Sequence, residues 1–266
     1  MKKLLLSMAM VAGISAVQAQ KTLVLYYSQT GTTKNVAVEL QQQLGGDIEA
    51  IEAVEAYGGN FQETIQRCQR EMQEGKTPAL KPLKSRISDY DVIFLGYPIW
   101  FGTYAMPIAT LVKECDFAGK TIVPFCTFGS GGLNTSSDAL VKALPKAKIA
   151  TGYGVRTARI AAAAKELDRF LKENGYKAGT VEKLPDYSAQ QPVTEAERAI
   201  FDAACSSYQF PLGTPKTVGK RSTPDGTDYQ FTVTGRGMDG QESTSTIFVT
   251  VSNVPGVQPE FTQVVR

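Results

Sequence analysis

Between residue 22 and about residue 175, short apolar runs alternate with amphipathic stretches, and this alternation restricts the fold more than any other feature of the chain. The apolar runs predict strands and span 22–27, 47–54, 91–97, 121–126 and 149–155. The intervening stretches have helical spacing and span 33–44, 61–74, 105–115, 138–144 and 160–174. Strands that alternate with helices predict an α/β fold with a doubly wound, five-stranded parallel sheet. Ligands of such sheets bind outside the carboxyl ends of the strands, so the loops after the first, third and fourth strands form the candidate site.

We place this unit at residues 20–176. The residues that follow it have a different composition. Residues 177–192 predict a linker, since they carry Pro185, Asp186, Ser188, Gln190, Gln191 and Pro192. Residues 193–266 open with a short predicted helix to about Tyr208, followed by Thr-, Ser- and Val-rich runs. Pro224-Asp225-Gly226 and Asp239-Gly240 are typical hairpin turns. We therefore expect a small α+β C-terminal domain with an antiparallel sheet of three or four strands, whose role the sequence does not specify.

The first 19 residues have the pattern of a secretory signal peptide. Lys2 and Lys3 precede an apolar run from Leu4 to Val17, and small residues at Val17 and Ala19 suit a cleavage site. The run of about 14 residues is too short for a bilayer that needs roughly 20, so we expect no membrane span. The alternative is a buried N-terminal helix. The pattern predicts an exported protein, periplasmic in location.

Composition excludes several classes of function. Without Lys2 and Lys3 the 28 basic residues become 26, equal to the 26 acidic ones, so nucleic-acid binding is not indicated. The chain has four cysteines without C-x-x-C spacing and no histidine, which disfavours zinc and haem sites. The Ser-His and Cys-His nucleophile arrangements are also absent. We expect a cofactor to carry any chemistry, and which cysteines could pair stays open.

The loop after the first strand is the strongest candidate for binding an anion. It leaves a buried strand and enters a helix, so free backbone N–H groups and hydroxyls surround one point. Its residues are Ser28, Gln29, Thr30, Gly31, Thr32 and Thr33. A phosphate suits this loop, although the residues would also serve as a simple helix cap.

Aromatic residues follow the third strand. The segment contains Pro98, Ile99, Trp100, Phe101, Gly102, Thr103 and Tyr104. Large exposed aromatic groups are costly without a partner, and a planar ring stacked on Trp100 would supply one. The alternative is that Trp100 and Phe101 pack beneath their own loop or against the second domain.

A second glycine-rich loop follows the fourth strand. It contains Thr127, Phe128, Gly129, Ser130, Gly131 and Gly132. Its N–H groups suit the polar edge of a heterocycle, and Phe128 is suited to cover a ring, although an ordinary turn has the same composition. Cys126 beside it is expected to be a buried residue rather than a reactive thiol, because no cationic neighbour in the sequence would lower its pKa.

Together, three segments resemble bacterial flavodoxin-like FMN proteins. They are Ser28–Lys34, Asp91–Trp100 and Gly119–Thr127, and the resemblance spans about residues 21–175. It implies strand order 2-1-3-4-5 and FMN as cofactor, with the phosphate in the first loop. It places Pro98–Thr103 beside the isoalloxazine, with Trp100 against it, and Thr127, Phe128, Gly129, Gly131 and Gly132 along the pyrimidine side. Many flavodoxins have a stacking tyrosine in this last loop, and Tyr104 is the substitute available here.

Three functions are compatible with this resemblance. The first is an exported FMN electron-transfer protein whose partner is a redox protein or a small acceptor. The second is an FMN-dependent reductase of quinones with NAD(P)H as donor. The third is a flavin-free binding module that uses the C-terminal sheet.

Overall fold

The computed structural model describes residues 20–58, 60–236 and 241–265. The predicted signal peptide and the predicted Asp239-Gly240 turn lie outside the described residues. Within the described part of the chain, no helix is both long and apolar enough to span a membrane.

The first unit is a parallel sheet with helices on both faces. Its strands are β1 (Thr22–Tyr26), β2 (Asp47–Ala50), β3 (Val92–Trp100), β4 (Thr103–Tyr104), β5 (Thr121–Phe128), β6 (Lys148–Ile149) and β7 (Tyr153–Arg156). The parallel strands follow the order β2-β1-β3-β5, with β6 and β7 both beside β5, and β4 turns back antiparallel on β3. This topology confirms the predicted doubly wound sheet.

The predicted fifth strand, 149–155, is divided into two short strands. Ile122 pairs with Ile149 and Phe125 pairs with Tyr153, so one extra residue lies between β6 and β7. Pro124 lies opposite this break and has no N–H to donate to a neighbouring strand. The sequence predicts one strand here, whereas the pairing with β5 divides it into two.

Each face of the sheet has its own core. The helices of this unit are α1 (Thr32–Leu44), α2 (Phe61–Gln73), α3 (Met106–Glu114), α4 (Leu133–Ala143) and α5 (Ala163–Glu173), with short 3-10 turns at Ile87–Asp89 and Thr157–Ala162. Because side chains alternate along a strand, Leu23 and Leu25 join the core that includes Ile108 on α3. Val24 joins the opposite core, with Leu40 on α1. The central strands are therefore buried on both faces, as their apolar runs predict.

The second unit is an antiparallel sheet covered by one helix. It contains β8 (Gln191–Pro192), α6 (Glu195–Cys205), β9 (Thr214–Thr223), β10 (Gly226–Arg236), β11 (Glu242–Ser252) and β12 (Glu260–Val265). The strand order is β12-β11-β10-β9-β8. Phe201 of α6 packs on Phe231, Val233 and Ile247 in a separate apolar core. The predicted α+β domain is thus present, but among the described residues its sheet has five strands rather than three or four, because β8 before the helix also pairs with β9.

Two local features of this unit follow from its sequence. Pro224–Asp225 makes the predicted turn between β9 and β10. Thr194 and Glu197 form a reciprocal capping box at the start of α6. Within the segment predicted as a linker, Gln191–Pro192 pair with β9, and the domain boundaries stay a prediction.

Candidate cofactor site

The first loop presents an open helix N-terminus at the carboxyl edge of the sheet. β1 ends at Tyr26 and α1 begins at Thr32. Between them Gly31 has a left-handed conformation (φ 88°), and a Cβ placed on it would meet no atom within 4 Å. No described side chain caps α1. The first-turn N–H groups therefore point to a place that an external anion can approach.

Ser28 provides the most specific indication of a ligand in this loop. Its Oγ is buried, and among the described residues it has no hydrogen-bond partner. The Thr30 and Thr32 hydroxyls lie 3.5 Å apart on the same loop. A buried hydroxyl without a partner costs free energy that a phosphate oxygen would recover. The loop thus fits the phosphate of the predicted cofactor.

Two other residues of the loop fasten it to its surroundings. The Thr33 Oγ1 lies 2.8 Å from the Thr127 Oγ1, in the interior, and this contact joins the first loop to the third. The Gln29 amide donates to the Gly58 carbonyl oxygen (3.0 Å) and to the Thr64 hydroxyl. These side chains hold the loops in place, and their contact with a cofactor stays a prediction.

The aromatic segment is a tight hairpin rather than an open loop. Pro98, Ile99 and Trp100 belong to β3, which continues because Trp100 pairs with Thr103 of β4. Phe101 (φ 50°) and Gly102 (φ 80°) form the turn, and both have positive φ, as type I′ turns require. Phe101 is 52% exposed. Its positive φ is unusual, because bulky residues rarely adopt that conformation. The hairpin therefore projects an aromatic side chain at the sheet edge in a strained conformation.

Trp100 lies in an aromatic cluster that the sequence analysis did not identify. Its ring contacts Tyr57 edge-on at 5.0 Å and Tyr27 at 5.7 Å between centroids. The Arg67 guanidinium lies over the Tyr57 ring, 3.9 Å from its centroid. Burial raises the pKa of Tyr27 and of Tyr57. Tyr27 and Tyr57 thus pack against the indole of Trp100. The one sequence feature that points to this cluster is the position of Tyr27 directly after β1.

The hairpin contains the second hydroxyl without a partner. Thr103 Oγ1 is buried and, like Ser28 Oγ, lacks a hydrogen-bond partner among the described residues. Tyr104 beside it is half-buried and packs edge-on against Tyr97, at 6.1 Å. Two of the three predicted loops thus each hold one unused polar group.

The third loop closes against the hairpin. Phe128 ends β5 and is buried, so its ring belongs to the core. Gly129 is exposed, and a Cβ there would meet nothing within 4 Å. A Cβ on Gly132 would lie 2.6 Å from the Ile99 side chain. Glycine at 132 is therefore required for the loop to reach the hairpin.

A cavity of about 250 Å³ lies between the hairpin, the third loop and β12, and neither the first loop nor Trp100 lines it. Ile99 and Gly102 line it from the hairpin, residues 128–135 line it from the third loop and the start of α4, and Gln263, Val264 and Val265 line it from β12. The sequence predicts the hairpin and the third loop as parts of a site, whereas no sequence feature of residues 263–265 indicates that β12 contributes.

The cysteines stand apart from this arrangement. All four, Cys68, Cys115, Cys126 and Cys205, are free thiols. Cys126 is buried within β5, and burial raises its pKa. The prediction that Cys126 is a buried, unreactive residue agrees with this environment.

Comparison with known proteins identifies the first unit. Residues 21–171 match the family model described as flavodoxin. A putative flavoprotein from Bacteroides uniformis ATCC 8492 is 29% identical, with a TM-score of 0.50, over 56% of this chain and 98% of that one. One from Bacteroides eggerthii DSM 20697 is 32% identical, with a TM-score of 0.48, over the same shares of the two chains.

A flavoprotein from Lactobacillus acidophilus NCFM, solved in complex with FMN, is 22% identical, with a TM-score of 0.47, over 55% of this chain and 99% of that one. No curated protein matches the chain. The matched family model covers more than half of the chain, including all three loops. The chain therefore belongs to the flavodoxin family, whose cofactor is FMN, as the sequence of these loops predicts.

Proposed function

We propose that this protein is an FMN-binding electron-transfer protein of an exported compartment. The observation that carries the proposal is the buried Ser28 hydroxyl, which has no partner among the described residues, beside a start of α1 that no described side chain caps. Hydrogen bonds to a charged group contribute roughly 1.5 to 3 kcal/mol each, so a few such donors suffice to anchor a phosphate without a lysine.

In this proposal each loop has a separate task. Ser28, Thr30 and the first N–H groups of α1 hold the phosphate, and the Thr33–Thr127 contact sets the distance between the first and third loops. Trp100, supported by Tyr27 and Tyr57, excludes water from one side of the ring system. The backbone of the third loop offers N–H groups to the polar edge of the ring.

FMN supplies electron transfer when bound, and the chain supplies position and environment. The protein has no histidine, so a histidine general acid or base has no part in the reaction. Each 1.4 kcal/mol of preference for one redox state shifts a one-electron potential by about 59 mV. The hairpin around Trp100 is thus placed to set the potential through modest energies.

The proposal is tested on the purified full-length protein. Its visible absorption spectrum and a titration with FMN measure binding, and an anaerobic reductive titration measures how many electron steps occur. A colourless protein that takes up no added FMN contradicts the proposal. Turnover with NAD(P)H and a quinone at rates typical of enzymes would favour the reductase instead.

The exported location is supported by the sequence of residues 1–19. Expression of the full chain in bacteria, followed by cell fractionation and N-terminal sequencing, tests it. Mature protein that begins at Gln20 and is found in the periplasmic fraction supports export. Uncleaved protein in the cytoplasmic fraction contradicts it.

A further inference from the structure

The last strand of the second domain contacts the third loop directly. The Val264 N–H donates to the Ser130 carbonyl oxygen at 2.7 Å, and Gly131 and Val264 form a parallel bridge. Val264 also lies opposite Ile247 of β11, so β12 is shared between its own sheet and the loop. The C-terminal domain is therefore bonded to the backbone of a predicted FMN loop.

Glycine at position 131 is explained by this contact. A Cβ on Gly131 would lie 2.1 Å from the Val264 carbonyl oxygen, which is closer than atoms can approach. Gly129, two residues earlier, faces open space. The same glycine-rich loop thus contains one glycine that β12 requires and one that it does not.

Arg156 connects the two domains at the same place. Its Nε donates to the Gly129 carbonyl oxygen at 2.7 Å, and its Nη1 donates to the Phe261 carbonyl oxygen at 2.8 Å. The guanidinium also stacks on the Phe261 ring, at 4.1 Å from its centroid. The side chain is buried, and two of its N–H groups bond to these two carbonyls. One cation therefore bonds the loop and β12 together.

Two ion pairs reinforce this interface. Arg159 donates to Glu260 at 3.0 Å and to Glu166 at 2.7 Å. Lys165 on α5 pairs with Asp225 in the turn between β9 and β10. The interface is therefore built along β7, α5 and the third loop rather than through one contact.

We propose that β12 is a structural part of the FMN site. Arg156 and Val264 act as positioning residues that hold residues 129–132 in the shape that binds the ring, and Gln263–Val265 form one wall of the cavity. This inference rests on the proposed FMN binding. Because both ligand and strand use one loop conformation, FMN binding and docking of the C-terminal domain stabilise each other by the same factor.

The test replaces one interdomain hydrogen bond in the full-length chain. Val264→Pro removes the N–H that donates to Ser130, whereas Val264→Ala reduces the same side chain and keeps that N–H. Proline is tolerated where an N–H does not serve the sheet, and here the N–H points to the loop. Comparing the two variants separates the interdomain bond from packing in the second core.

Two readouts follow the loop and the ligand. Without FMN, amide hydrogen exchange in residues 129–135 should be faster in Val264→Pro than in Val264→Ala. The dissociation constant for FMN, measured by flavin fluorescence, should be about 3- to 10-fold higher in Val264→Pro, as expected for one lost hydrogen bond. In the wild-type chain, FMN should slow exchange in residues 260–265.

If both variants bind FMN equally and exchange alike while the wild type binds FMN, the inference is wrong and the proposed function stands. A wild type that takes up no FMN overturns both. If Val264→Pro does not fold, Gly131→Ala serves instead, because it disturbs the contact from the loop side without changing a residue of β12. It should raise the exchange rate of residues 260–265 in the FMN-free protein, and unchanged exchange there would refute the inference.

Discussion

Replacing Ser28 by alanine should change the apoprotein and the FMN complex in opposite directions. In the apoprotein, the Ser28 Oγ is buried without a partner among the described residues. A buried unsatisfied group costs about 1 to 3 kcal/mol, so its removal should leave the free energy of unfolding unchanged or raise it by up to that amount.

In the FMN complex, the same replacement removes a donor to a phosphate. The loss of a hydrogen bond to a charged group, about 1.5 to 3 kcal/mol, corresponds to a dissociation constant roughly 10- to 140-fold higher. Urea unfolding of the apoprotein and flavin fluorescence titration measure the two quantities separately.

Ser136 offers a matched control for the apoprotein. Its hydroxyl is also buried, but it lies 3.1 Å from the Tyr97 hydroxyl and donates to the Leu133 carbonyl oxygen at 2.9 Å. Ser136→Ala should therefore lower the free energy of unfolding, by about 1 kcal/mol. If Ser28→Ala also destabilised the apoprotein and left FMN affinity unchanged, the Ser28 hydroxyl would be structural and the phosphate assignment would be wrong.

Four other predictions concern single groups. Trp100→Ala should weaken FMN binding by about 1 to 3 kcal/mol, the contribution of one stacked ring, whereas Trp100→Phe should keep most of the affinity; equal dissociation constants for wild type and Trp100→Ala would refute stacking. Thr30→Val should weaken FMN binding more than Gln29→Ala. The Thr30 hydroxyl has one long contact, 3.5 Å to the Thr32 hydroxyl of the same loop, whereas the Gln29 amide already bonds to Gly58 and Thr64. Thermal unfolding should show the larger loss of apoprotein stability for Gln29→Ala. Burial raises the pKa of Cys68 to about 11, so at pH 8 about a thousandth of it is thiolate, and mass spectrometry should find it unmodified by iodoacetamide until the protein is unfolded. The Thr194 backbone N–H holds the pKa of the Glu197 carboxyl below its usual range. The resulting stabilisation is present above the pKa of the unfolded state and is lost as the pH falls through the pKa of the folded state. Glu197→Gln should therefore destabilise the protein by about 1 kcal/mol at pH 7 and not in acid, as measured by thermal unfolding.

The sequence alone determined the order of the main elements and predicted the location of the candidate site. Apolar periodicity is a local property, so the runs at 22–27 and 91–97 identified strands that the structure places side by side. The parallel sheet then brings the loops that follow them to one edge, whichever residues they contain. For this reason the sequence predicts that Ser28 and Trp100 belong to one site.

The tertiary structure decided which of the predicted site residues bond to other protein groups. It also decided which distant segments contact the site. The Thr33–Thr127 contact joins residues 94 positions apart, and Tyr57 supports Trp100 from a segment with no periodic pattern. Val264 reaches Gly131 across the domain boundary through backbone atoms, which carry no side-chain signature in a sequence. Such contacts depend on how whole domains pack, and a local pattern contains no information about that packing.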